Sequence, residues 1–143
     1  MPAASTTQIT DLATTLRLAC MRISRRVRFE STEAIAPHHF SVLMHLSKGE
    51  RMPGELAALE KVSAPSMTRT IGGLVDLGYA ARSVDADDKR CVRVAITDAG
   101  RAVLKDTLRS RNAWMATRVA GLTPREREVL AEASIILERL AAE

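Results

Sequence analysis

Val62–Val103 reads VSAPSMTRTIGGLVDLGYAARSVDADDKRCVRVAITDAGRAV. Ser63 stands at the N-cap position of a helix, with Pro65 inside its first turn. Met67, Ile71, Leu74 and Val75 recur at three- and four-residue steps and predict its buried side. Gly78 falls where a left-handed C-terminal cap is needed. Strands are predicted over Tyr79–Val84 and Cys91–Ile96, the second with Val92, Val94 and Ile96 on one face and Cys91, Arg93 and Ala95 on the other. Between them DADDK is too polar to be buried and reads as a turn. Thr97 caps the next helix.

Outward from this stretch the pattern is helical. Leu12, Ala13, Leu16, Ala19, Cys20, Ile23 and Val27 predict a first helix from about Thr10 to Phe29, after a polar tail over 1–7. Pro37 suits the first turn of a second, with Phe40, Leu43, Met44 and Leu46 inward and Gly49 stopping it. A short third helix runs from Pro53 to about Glu60, with Leu56 and Leu59 inward. The helix opened by Thr97 extends to Gly121, and Thr123-Pro124-Arg125-Glu126 is a capping box that starts a sixth. The sixth carries Val129, Leu130, Ala133, Ile136, Leu137 and Leu140 on its apolar side. The fold class is therefore mainly α with a small two-to-three-stranded β wing, in one domain over 1–143. A domain this small cannot cover three long apolar stripes by itself, so segments 8–30 and 98–143 are expected to pack against a second copy. Segment 37–97 forms a separate lobe.

The chain has 143 residues, 46% of them hydrophobic and only 3% aromatic, so the core must be aliphatic. A net charge of +4 favours an anionic partner. The start of the chain lacks the pattern of a secretory signal, and no apolar run is long enough to span a membrane. A cytoplasmic protein is expected. Cys20 and Cys91 lie far apart and read as reduced thiols, and the three histidines join neither in a ligand pattern. No metal and no cofactor are expected.

Helical spacing places Ser66, Arg69, Thr70 and Gly73 opposite the apolar side of the fourth helix, with Thr68 at the flank. Short hydroxyls and one arginine suit a major groove, where arginine bridges O6 and N7 of guanine. A solvated helix can show the same face; the basic hairpin carrying Lys89 and Arg90 decides for DNA. That order is a winged helix-turn-helix. Arg90 suits a narrow minor groove, with Asp88 pinning it by a charge-assisted pair. Gly72 and Gly73 each cost about 1 kcal/mol inside a helix. They mark either a close approach to a neighbour or DNA, or a tolerated weak spot.

These residues, in this order, resemble the multiple-antibiotic-resistance regulator (MarR) family of bacterial transcription factors along nearly the whole chain. VSAPSMTRTIGGLVDLGY, DDKR before a strand, AITDAG opening a helix, and GELAALEKVS carry the likeness. It implies a homodimer with interlocked N- and C-terminal helices on a pseudo-palindromic operator in double-stranded DNA. It also implies repression relieved by a small effector. The candidate DNA-contacting residues are Pro65, Ser66, Thr68, Arg69, Thr70, Lys89 and Arg90, with Asp88 as the wing-positioning residue. Where the family often opens the third helix with Ser or Thr, this chain has Met52-Pro53-Gly54, leaving only free N–H groups to meet a phosphate.

The likeness further implies a ligand site for small aromatic or phenolic anions between the dimer helices and the DNA-binding lobe. Arg17, Cys20 and Ser24 are the candidates, since helical spacing groups them at the edge of the first apolar stripe. The reading to be preferred for Arg17 itself pairs it with a protein carboxylate or lets it snorkel to water. Cys20 is the candidate for a cysteine-redox switch, against its reading as a small buried thiol. His38, His39 and His45 read as polar helix residues, and Trp114 and Met115 as either cavity or dimer core. No glycine-rich phosphate loop, nucleophile motif or apolar carboxylate pair is present, so an enzyme is not expected. A winged helix used for protein contacts stays as the other class.

Overall fold

Local capping sets where each helix of this chain begins. A computed structural model describes residues 5–31 and 34–142. α1 (Thr6–Glu30) starts earlier than expected, because Ser5 and Gln8 form a capping box: Gln8 N–H donates to Ser5 Oγ and Ser5 N–H to Gln8 Oε1. The expected tail over 1–7 is thus helical from Thr6, and residues 1–4 of it lie outside the described residues. α2 (Pro37–Leu46) and α3 (Pro53–Glu60) both open on proline. α4 (Ala64–Asp76) is capped by Ser63, α5 (Asp98–Ala120) by Thr97, and Thr123 with Glu126 caps α6 (Pro124–Ala142).

β1 (Ala80–Val84) and β2 (Val92–Ile96) pair antiparallel, with Arg82 opposite Val94. The third strand reduces to one bridge: Arg51 N–H donates to Val94 O at 3.0 Å and Val94 N–H to Arg51 O at 2.8 Å. The tight turn from α3 into α4 passes through Lys61 with φ of 53°, and Gly78 has φ of 77° beyond α4.

The core sits inside the lobe. Val42, Leu43 and Leu46 of α2, Leu56 and Ala57 of α3, Met67, Ile71 and Leu74 of α4, Val94 of β2 and Val103 and Leu104 of α5 are buried together. Leu59, expected inward, is 51% exposed. The inner stripe of α3 runs through Leu56, Ala57 and Glu60, and Glu60 turns in to bind Ser41 and His45 of α2 at 2.6 and 2.8 Å. Leu59 is rotated off that stripe.

α1 and α6 bury no residue at all. Leu12, Ile23, Val129, Leu130, Ile136 and Leu140 stand exposed. A polar clamp ties α1 to α5: Glu30 accepts from Trp114 Nε1 at 3.2 Å and from Arg118 at 2.9 Å, and Arg118 stacks 3.4 Å from the indole.

Candidate nucleic-acid interface

α4 lies with Met67, Ile71 and Leu74 in the core, so its opposite side faces out. Pro65, Thr68 and Arg69 are exposed, whereas Ser66, Thr70, Gly72 and Gly73 are half-buried. This corrects the expected face. The exposed centre of the outer stripe is Pro65, Thr68 and Arg69, continued by the half-buried Gly72, one helical step round from the set centred on Ser66 and Thr70. At Gly73 the helix passes close to α2: a methyl there would lie 2.8 Å from His39 Nε2. Gly73 is therefore a close approach to a neighbouring side chain. Gly72 would meet only Arg82 Nη2, at 3.8 Å, and is a tolerated position.

The hydroxyls on α4 are bonded within it. Thr68 Oγ1 donates to Ala64 O at 3.0 Å and Thr70 Oγ1 to Ser66 O at 3.2 Å. Their oxygens keep free lone pairs, so as placed they present acceptors. Arg69 reaches Ser66 Oγ at 3.3 Å, and no carboxylate pairs with it among the described residues.

In the hairpin, Asp85 is the organising residue. Its Oδ1 accepts the N–H groups of Asp87 and Asp88 at 2.9 and 3.4 Å, and its Oδ2 lies 3.4 Å from Arg93 Nε. Those backbone donors first, and Arg93 second, hold its carboxyl below the usual carboxylate range. Asp88 does bond Arg90, but through the backbone N–H at 3.0 Å and not the guanidinium. The expected charge-assisted pair is thus replaced by a backbone contact that shapes the tip. Lys89 and the Arg90 side chain stand exposed without an ion pair among the described residues. At the start of α3, Met52 N–H donates to the Glu55 carboxylate at 2.8 Å, so one N–H of that helix start is already taken.

The expected ligand residues divide. Cys20 and Ser24 line a hollow of about 390 Å³ between α1, α5 and α6, together with Val27, Arg28, Arg111 and Leu137. Arg17 does not line it; it is exposed on α1, and the cations there are Arg28 and Arg111. Cys20 is exposed in the single chain and not a buried thiol. A larger hollow, about 820 Å³, lies between α2 and α5, with Met44, Leu104 and Leu108 beneath Arg101, Lys105 and Arg109. Four-residue spacing of three cations is a readable signal that sequence reasoning missed. Among the described residues no cluster of metal-ligating side chains occurs, and no helix is long and apolar enough to cross a membrane.

The sequence pattern of the MarR family matches residues 35–90. An uncharacterised HTH-type transcriptional regulator of Mycobacterium bovis is 37% identical over 134 residues, which cover 92% of this chain and 94% of that protein. The chain belongs to the MarR family. Another such regulator, from Mycobacterium leprae, is 36% identical over 89% of this chain and 91% of its own. Among solved MarR-like folds, RV1404 of Mycobacterium tuberculosis superposes with a TM-score of 0.75 at 26% identity, covering 100% of this chain and 99% of that one. The multiple antibiotic resistance repressor MarR does so with a TM-score of 0.76 over 90% of this chain and 94% of its own; at 21% identity it bears on the fold alone. As a MarR-family protein, the chain is a DNA-binding transcription regulator with a winged helix-turn-helix. Its relatives are named as regulators and not as enzymes.

Proposed function

We propose that this MarR-family chain is a cytoplasmic homodimeric repressor that occupies a pseudo-palindromic operator and leaves it when a small aromatic or phenolic anion binds. The observation that carries the DNA reading is the pair Arg69 and Arg90, one on the outer stripe of α4 and one at the hairpin tip, neither guanidinium matched to a carboxylate among the described residues. Arg69, with Pro65, Ser66, Thr68 and Thr70 around it, reads the major groove; Lys89 and Arg90, on a tip shaped by Asp88, enter the minor groove. Two copies joined through 8–30 and 98–143 would set their 37–97 lobes about one helical turn apart, roughly 34–36 Å. The exposed apolar sides of α1 and α6 support that division.

The effector site is the hollow between α2 and α5, where an apolar floor lies beneath Arg101, Lys105 and Arg109. An anion there moves the lobe against α5 only if it binds one geometry better than the other; each tenfold preference is about 1.4 kcal/mol. The test is selection from a randomised duplex pool, with Arg69→Ala and Arg90→Ala run alongside. An enriched palindrome weakened by both substitutions is the expected result. A folded dimer that enriches no motif would reject the reading in favour of a protein-contact module.

A further inference from the structure

Ala80, Arg82 and Val84 alternate on one face of β1, opposite Ile96, Val94 and Val92. Ala80 and Val94 are buried, while Val84 is 58% exposed. This face therefore lies against the helical body at Ala80 and has cleared it by Val84. Arg82 stands at the crossing. Its neighbour there is α4, since a methyl on Gly72 would lie 3.8 Å from Arg82 Nη2. Gly72 belongs to the same outer stripe as Pro65 and Arg69, so the Arg82 guanidinium fills the angle between that stripe and the wing.

Arg82 has no ion pair or hydrogen-bond partner among the described residues. Arg93, on the other strand of the hairpin, is matched instead by Asp85. When a helix enters the major groove and a wing the neighbouring minor groove, one sugar–phosphate strand separates the two grooves. That strand has to run through the angle between them.

We infer that Arg82 is a phosphate-binding residue of the DNA interface, bridging the separated contacts of Arg69 and Arg90. This rests on the DNA-binding reading above. Bound to the strand between the grooves, the Arg82 guanidinium forks onto phosphate oxygens and not onto base edges, so Arg82 contributes affinity without sequence preference.

The test uses the full-length protein carrying Arg82→Met, which keeps the stem over Gly72 and removes the charge. Binding is measured over a salt series to the selected duplex and to a mixed-sequence duplex. Both affinities are expected to fall by the same factor, about tenfold, with the slope of log K against log salt reduced by about two per dimer. Arg82→Lys should recover most of the slope. Should the Met variant melt early, Arg82→Gln is read in its place. Wild-type affinity and slope in the neutral variant, while Arg90→Ala weakens binding, would overturn the assignment and leave the DNA reading standing. So would a changed base preference in the selected motif with mixed-sequence binding intact. If Arg69→Ala and Arg90→Ala are also silent, it is the DNA reading that fails.

Discussion

Replacing Gly100 by alanine should unseat α5 from the wing. Gly100 lies in the first turn of α5 and is buried. A methyl there would collide with the Tyr79 carbonyl oxygen and stand 2.8 Å from Ile96 Cγ1. An ordinary carbon–oxygen contact is about 3.3 Å or longer, so α5 must back away by about 1 Å. That turn is pinned to the end of α4 by Thr97 N–H donating to Tyr79 O at 3.1 Å and Thr97 Oγ1 donating to Gly78 O at 2.6 Å. Weakening both costs about 1 kcal/mol each. Overpacking adds about 2 kcal/mol, and removing a helical glycine returns up to about 1 kcal/mol. The net loss is about 3 kcal/mol, a fall in Tm of about 10 °C at fixed protein concentration. Gly72→Ala is the control: its methyl meets only ordinary contact, so it should raise stability by up to about 1 kcal/mol. Thermal and urea unfolding of both variants decide the matter. A Gly100→Ala protein as stable as the wild type would refute the proposed seating of α5 on the Tyr79 carbonyl.

Burial, and then the neighbouring His38, hold His39 below the ordinary histidine value. The unfolded chain then binds the extra proton, so stability should decline as the pH falls below about 6.5, with the slope reduced in His39→Gln and read from urea midpoints across that range. Asp85→Ala removes the carboxylate that organises the hairpin, so it should weaken DNA binding with little change in Tm; unchanged affinity would show that the wing does not need that order. Ile136→Glu with Leu140→Glu places charges on the exposed side of α6 and should shift the sedimenting mass toward one chain while helix content is kept. A wild-type protein that already sediments as one chain at micromolar concentration would remove the dimer from the proposal.

Caps and periods carried most of the fold. Ser63, Thr97, Thr123 with Glu126, Pro37 and Pro53 act on backbone groups within four residues, so each helix start is legible without any knowledge of its neighbours. Ser5 with Gln8 is a signal of the same kind, overlooked inside a polar tail. The hairpin with Lys89 and Arg90 is equally local, as is its place after a helix with an arginine on its outer side.

What tertiary packing decided is how these elements meet. Helical spacing names the residues opposite Met67, Ile71 and Leu74, but the packed lobe leaves Pro65, Thr68 and Arg69 exposed and Ser66, Thr70 and Gly73 half-buried, with His39 of α2 close to Gly73. Glu60 turning toward His45 displaces Leu59, and the Tyr79 carbonyl requires Gly100, for the same reason. Arg17 shares a helix face with Cys20 and Ser24, yet Arg28 and Arg111 reach their hollow, because a hollow is closed by the helices around it. Arg82 gains a place beside the recognition helix only once β1 is laid against α4. A sequence determines its local bonds through neighbours a few residues away. Distances between elements depend on which side chains fill the space between them, and no stretch of the chain encodes those alone.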